Sequence, residues 1–240
     1  MRWHFLFELL AYSVAFRLYL SARQRQGDFL DERLRWSIVV AAVLGAAVGA
    51  KLLYWLEDPM KAAAHWTDPA YLMGGKTIVG AILGGTMAVE WTKKRAGLER
   101  RTGDLFAIPL AVGIAIGRIG CFLAGKGDDT YGVPTSLSWT VDLGDGVMRH
   151  PVQLYEVGAM VLLVFLLARI KPPQFRQGDR FRAFVLFYYG WRLTVDFLKP
   201  GVRFAGLTLL QWACAAALLW YGRDLQRLLM RDKVTGVSHG

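Results

Sequence analysis

Cysteine is scarce in this chain: 240 residues contain only two, Cys121 and Cys214. They lie far apart, with no metal-ligand spacing, so neither a disulfide framework nor a zinc site is expected, and no metal or cofactor is called for. Both have a plain reading as small side chains in helix contacts. Internal repeats and low-complexity stretches are also missing, which removes repeat arrays and long flexible linkers from consideration. The first apolar stretch lacks a basic segment before it and a small-residue cleavage site after it, and it carries Glu8 and Arg17. It therefore reads as a retained span rather than a secretory signal. Acidic residues are the rarer charge, 19 Asp and Glu against 29 Lys and Arg, for a net charge of +10.

What the chain has in excess is apolar residues, 54% hydrophobic with 13% aromatic. They fall in blocks that reach bilayer-spanning length, about 20 residues for a helix. Seven spans are predicted, at 3–20, 34–56, 71–91, 105–124, 153–168, 181–198 and 207–221. Glycines and charges interrupt the third, and the fifth is short. The expectation is an all-α polytopic membrane protein forming a single transmembrane domain. The longest polar connection, 125–152, is the only loop with room for a small extracytoplasmic cap.

The basic residues alternate by loop. Arg23, Arg25, Arg33 and Arg35 lie after the first span, and Lys93, Lys94, Arg95, Arg100 and Arg101 after the third. Segment 169–182 and the tail from Arg223 are basic as well, whereas the intervening segments hold only Arg2, Lys61, Lys126, Arg149, Lys199 and Arg203. By the positive-inside rule the N-terminus is outside and the C-terminus cytoplasmic, as an odd number of spans requires. The charge is accounted for by topology, so a nucleic-acid partner, which would gather it on one soluble face, is not expected.

Small residues recur four apart, at Gly45/Gly49, Gly80/Gly84 and Gly113/Gly117, a spacing that lets helix backbones approach closely in lipid. Against this apolar background the ionisable residues inside spans stand out. An Arg at mid-bilayer costs about 2.5–3.5 kcal/mol on insertion scales and normally faces a partner or an aqueous cavity. Arg118 is one such residue, near the end of its span, where snorkelling to the headgroups is the plain alternative. Tyr189, Arg192 and Asp196 share one face of the sixth span, with a self-neutralising Arg192/Asp196 pair as the alternative. Lys76 sits in a glycine-rich stretch, where it either meets a ligand or snorkels. Gln153 and Glu156 share a face just beyond His150, and Glu156 could simply satisfy a buried arginine. Together they point to a polar chamber in lipid, suited to a phosphate headgroup that Arg grips bidentately.

The stretches "GRIGCFLAG", "YGVPT", "RHPVQLYE", "YGWRLTVDFLKP" and "GLTLLQW", in that order and spacing, resemble the prolipoprotein diacylglyceryl transferases over most of the chain. The resemblance implies a bacterial inner membrane protein with seven spans and a small periplasmic cap. It also implies transfer of a diacylglyceryl group from phosphatidylglycerol to the cysteine thiol of a lipobox-containing precursor protein, with release of glycerol phosphate. It places Arg118 and Arg192 around the lipid phosphate, with Gln153, Tyr155 and Glu156 in the second signature. The charge that grows on the departing phosphate is what fixed arginines in a dry site would stabilise. The thiol must also lose its proton, for which His150, Asp128 or Asp129 is available.

The chain departs from the family pattern in two places. Where the family has a histidine in the third-span glycine motif, this sequence has Val79, with Lys76 one turn before it. Where the family reads Gly-Arg-Ile-Gly-Asn followed by an acidic residue, this one has Cys121 and then Gly125-Lys126, with Asp128 and Asp129 displaced. Three readings follow: the ordinary transferase, a divergent transferase using another acceptor or lipid, and a non-catalytic phospholipid-binding or lipid-transport protein that kept the chamber. The candidate catalytic groups are Arg118, Arg192, His150 and Asp129. The candidate substrate-binding groups are Lys76, Gln153, Tyr155, Glu156, Tyr189 and Asp196.

Overall fold

The structure, a computed structural model, describes residues 2–26, 30–128, 130–170 and 177–229. Two long helices open the chain, α1 (Arg2–Gln26) and α2 (Glu32–Glu57), followed by two short ones, α3 (Pro59–Ala64) and α4 (Pro69–Met73). Each short helix starts where an Asp cap precedes a Pro at the first helical position: Asp58 accepts from the Lys61 N–H and Asp68 from the Ala70 N–H. Both signals favour helix initiation. The stretch 71–91 expected as the third span is not one helix. The chain leaves helical form at 74–77, where Gly75 has φ +53°, and re-enters it at α5 (Ile78–Arg95) with Thr77 as the N-cap. The Lys51 ammonium, reaching over from α2, holds this break by donating to the carbonyls of Met73 (2.6 Å), Gly74 and Gly75 (2.9 Å).

Four helices follow: α6 (Asp104–Ala124), α7 (Val152–Arg169), α8 (Asp179–Val195) and α9 (Leu209–Leu229). Between α6 and α7 the chain forms a small cap, with β1 (Val141–Asp142) paired antiparallel to β2 (Met148–Arg149). A second two-residue ladder, β3 (Arg203–Phe204) with β4 (Leu207–Thr208), leads into α9. Apart from these two ladders the regular structure of the described residues is helical, that of an all-α membrane protein. Among the described residues, four helices are long and apolar enough to cross a bilayer, Trp3–Arg25, Glu32–Glu57, Asp104–Gly127 and Val152–Arg169, and Leu209–Gly222 is a shorter apolar one.

Packing follows the small residues. In the α2–α5 contact a side chain at Gly49 would run into the backbone of Gly80 and Gly84, and one at Gly45 into Gly84. Gly113 of α6 meets Ala11 and Ala15 of α1, and Gly120 lies under Phe7, whereas Gly117 has open space. The core lies around α7, where Met160, Leu163 and Leu167 pack with Ala107 and Ala111 of α6, Phe184 and Tyr188 of α8, and Cys214 of α9. The outward faces of α1 and α2 carry Phe5, Leu9, Phe16, Val43, Leu44 and Val48 exposed, as lipid-facing surfaces require.

Tertiary hydrogen bonds then tie α6, α8 and α9 together. Asp104, in the first turn of α6, accepts from the N–H groups of Gly178 (2.6 Å) and Phe181 (3.0 Å), and so caps α8 from a neighbouring helix. At the opposite end of α8 the Leu198 carbonyl accepts from the Val133 N–H of the cap (2.8 Å). Thr208 and Gln211 form a reciprocal capping box at the start of α9, and the Gln211 amide N–H also donates to the Leu193 carbonyl of α8 (2.9 Å).

Candidate functional site

Three consecutive long helices, α6, α7 and α8, bring their charged residues to one point. Arg118 projects from the penultimate turn of α6, Glu156 from the first turns of α7, and Arg192 from the last turn of α8. One carboxylate oxygen of Glu156 lies 2.8 Å from Arg118 Nε and 3.4 Å from Arg192 Nη1. The other face of Arg192 is taken by Asp196, one turn on, at 2.7 Å. Glu156 is 0% exposed. Burial on that scale is tolerated because each charge has an opposite charge against it; removing one partner of such a group typically costs about 3–5 kcal/mol.

The remaining neighbours complete a polar cluster in apolar surroundings. The Tyr188 hydroxyl donates to the second oxygen of Glu156 (3.3 Å), and Arg118 Nη1 donates to Cys121 Sγ (3.8 Å). Lys199, just beyond α8, places its ammonium 4.0 Å from Glu156 and 3.9 Å from Asp196. Burial pushes the Lys199 ammonium down to about 7, and the nearby Arg192 and Arg118 guanidiniums push the same way. Glu57, the last residue of α2, is close enough to feel the charges of Arg192, Asp196 and Lys199. A guanidinium carries five N–H donors; Glu156 meets Arg118 at Nε and Arg192 at Nη1, and Asp196 meets Arg192 at Nη2, which leaves N–H donors on both arginines for an incoming phosphate.

The cap covers this end of the bundle. His150 Nδ1 lies 3.3 Å from the Tyr155 hydroxyl, which accepts from the Trp139 indole N–H at 2.8 Å. Asp145 holds the hairpin through Arg149 (2.8 Å) and Lys126 (2.7 Å), and that Lys126 contact keeps its carboxyl below the usual carboxylate range. Asp142 is held low by the backbone N–H groups of Gly144, Asp145 and Gly146. No group of three or more His, Cys, Asp or Glu able to hold a metal ion occurs among the described residues.

An arginine pair clamped on one buried carboxylate in a membrane helix bundle is the feature against which relatives can be compared. The family model described as prolipoprotein diacylglyceryl transferase matches residues 1–221. The chain belongs to the prolipoprotein diacylglyceryl transferase family. It is 30% identical to the phosphatidylglycerol–prolipoprotein diacylglyceryl transferase of Geobacter sulfurreducens, over 82% of this chain and 77% of that protein. The protein of the same name from Pseudoalteromonas atlantica is 30% identical, over 86% of this chain and 74% of its own. That of Bordetella parapertussis is 31% identical, over 75% and 71%.

Of the residues singled out in the sequence, this family member brings Arg118, Glu156, Arg192 and Asp196 into direct contact. Gln153 is buried one turn before Glu156, and His150 and Tyr155 contact one another at the cap. Tyr189 is buried too, but it is the hydroxyl of the adjacent Tyr188 that reaches Glu156. Tyr188 lies four residues before Arg192, on the same helical face. Lys76 is elsewhere: it is half-exposed and pairs with Glu8 of α1, which also accepts from the Tyr12 hydroxyl (2.7 Å). Val79 is buried in the apolar core. Asp129 lies outside the described residues, as does the side chain of Asp128. The sequence reading passed over Tyr188, Lys199 and Glu57. The last two sit at span ends, where a charge looks like an ordinary interfacial residue.

Proposed function

We propose that this chain is a membrane-embedded transferase that moves a diacylglyceryl group from phosphatidylglycerol to the cysteine thiol of a prolipoprotein. The observation that carries this reading is the Arg118–Glu156–Arg192 cluster, two planar phosphate-gripping groups preset by one buried carboxylate. In the reaction the thiol sulfur attacks the glyceryl carbon, the carbon–oxygen bond to phosphate breaks, and glycerol phosphate departs with one more negative charge. Fixed guanidiniums favour that state over the bound lipid, which is how binding energy becomes rate. The thiol proton passes to a group on the outer side, for which His150 and Asp129 are the candidates. Gln153, Tyr155, Tyr189 and Asp196 line or brace the lipid site. Lys76, paired with Glu8, ties α1 to the chain just before α5.

In this reading the seven spans are α1, α2, α5, α6, α7, α8 and α9, in one domain, with the N-terminus outside, the C-terminus cytoplasmic and 125–152 as the external cap. The lengths of α5 and α8, 18 and 17 residues, correspond to about 25–27 Å of helix, close to the roughly 30 Å of a hydrocarbon core. Val79, in the position of the family histidine, keeps a second reading in view, a transferase of the same chemistry with another acceptor. Reconstitution of the purified chain with phosphatidylglycerol and a lipobox peptide, read by mass, separates the possibilities. A thioether product supports the ordinary reaction. Lipid turnover without peptide modification supports the other acceptor, and no turnover returns the chain to passive lipid binding.

A further inference from the structure

Two buried glutamines sit beside the site and behave oppositely. Gln211 is 0% exposed and uses both ends of its amide: the oxygen accepts from the Thr208 N–H and the nitrogen donates to the Leu193 carbonyl. Gln153 is 1% exposed, yet neither its Oε1 nor its Nε2 has a hydrogen-bond partner among the described residues. An amide buried in that way is penalised by about 1–3 kcal/mol. An apolar residue of similar shape would avoid that cost, so the amide needs a reason that the protein's own contacts do not supply.

Its position supplies one. Gln153 is in the first turn of α7, three residues before Glu156, so the two side chains lie one above the other on the same face. Glu156 marks the level at which Arg118 and Arg192 meet. Gln153 stands about 5 Å from that level, one helical turn towards the cap. A lipid whose phosphate rests on the arginines, with its tails running into the bilayer, directs the rest of its headgroup that way. We infer that Gln153 is a specificity residue that reads the hydroxyl groups of the donor lipid's glycerol headgroup. This rests on the proposed lipid-transferase function and names how the same site selects its donor.

The chemistry is complementary. A primary amide offers an acceptor and a donor group side by side, and a hydroxyl is both donor and acceptor, so a glycerol headgroup can satisfy both ends of Gln153. An ethanolamine headgroup brings an ammonium, which only donates. It would leave the amide nitrogen unpaired and add a cation beside Arg118 and Arg192. A headgroup without hydroxyls would leave both ends unpaired. Sites built to hydrogen-bond a substrate hydroxyl reject the analogue lacking it far more strongly than apolar pockets reject a missing methylene.

The test compares phosphatidylglycerol with phosphatidylpropanol of the same acyl chains, a phosphodiester of equal length without headgroup hydroxyls. Native mass spectrometry of the purified full chain with both lipids at equal concentration reads the binding preference. Transfer to a lipobox peptide is followed separately. The wild type should prefer phosphatidylglycerol by about tenfold or more, and Gln153→Met, which keeps length and removes the amide, should lose that preference by weakening phosphatidylglycerol binding alone. Removing an unsatisfied amide should also raise the melting temperature of the lipid-free protein, whereas loss of a merely structural glutamine would lower it. A wild type that binds both lipids equally, or a Gln153→Met protein that keeps the preference or weakens both lipids alike, overturns the inference. Binding preference does not require turnover. A wild type that prefers phosphatidylglycerol but transfers nothing therefore counts against the transferase reading while upholding the role of Gln153.

Discussion

Arg118 and Arg192 share one counter-ion, and that arrangement makes the site sensitive to shape as well as charge. Lys in place of either would keep the charge but exchange a planar fork for a point donor. Arg118→Lys and Arg192→Lys are each expected to insert normally and to lower transfer by about 10²–10³, the range for removing a donor from a developing anion. Peptide modification, normalised to the amount of protein in the membrane, measures this. Glu156→Gln should behave differently, because it leaves two buried guanidiniums short of a counter-charge. A loss of about 3–5 kcal/mol of stability is expected, seen as a lowered melting temperature in detergent before any assay of activity. Lys199 sets the pH response. With its ammonium pushed down to about 7, it is a cation below that value and neutral above it. The groups that face it are Arg118, Glu156, Arg192, Asp196 and Glu57. A phosphate-bearing lipid should thus be held more weakly as pH rises through the neutral range, with a rising KM. Lys199→Arg, which cannot lose its proton there, should flatten the profile; an unchanged profile in that variant would remove Lys199 from the account.

The helix pair α2–α5 shows at the level of elements what sequence can and cannot disclose. Its glycine spacing is legible, and the structure pairs Gly45 and Gly49 with Gly80 and Gly84 backbone to backbone. Gly49→Leu should therefore separate the pair and sharply reduce the yield of folded protein, while Gly117→Ala, with open space around it, should be neutral or slightly stabilising through helix propensity. Gel-filtration profiles and melting curves in detergent distinguish the two, and a well-folded Gly49→Leu protein would contradict the close approach. Gly117 carries the same sequence spacing as the other glycines, yet a side chain there would meet no described neighbour within 4 Å, because which face of a helix meets a neighbour is decided by the whole bundle. The apolar runs and the charges within them were readable because lipid makes each such charge expensive. The Asp104 cap on α8 was not, since its partners are Gly178 and Phe181, remote in sequence and joined to it only by folding. The two-residue ladders of the cap and of 203–208 carry too few residues for a periodic signal. Tyr188 and Tyr189 are adjacent aromatics four and three residues before Arg192, so helical spacing cannot rank them; only the packing of α7 against α8 selects Tyr188 for Glu156.

At the scale of the whole molecule, the placement of charge along the chain supports the proposed orientation. The basic segments are 21–35, 93–103 and 169–182, which include the ends of α1, α5 and α7 and the chain that follows each, together with the stretch from Arg223. The stretches between α2 and α5, α6 and α7, and α8 and α9 hold only Lys61, Lys76, Lys126, Arg149, Lys199 and Arg203. In the proposed arrangement of seven crossings these basic segments share one side, which the positive-inside rule would make cytoplasmic, with the cap and its His150 and Tyr155 outside. That orientation also suits the chemistry, because it puts the cap end of the Arg118–Glu156–Arg192 site towards the side where an exported precursor arrives. Cysteine accessibility tests it with little background, since Cys121 and Cys214 are both buried. Glu99, exposed between α5 and α6, and Ser138, exposed in the cap, are suitable positions. In intact cells a membrane-impermeant maleimide should label Ser138→Cys and spare Glu99→Cys, and permeabilisation should make Glu99→Cys reactive. Labelling of Glu99→Cys from outside would invert the topology. It would then place the cap and the arginine site on the cytoplasmic side, where a translocated lipobox cysteine could not reach them.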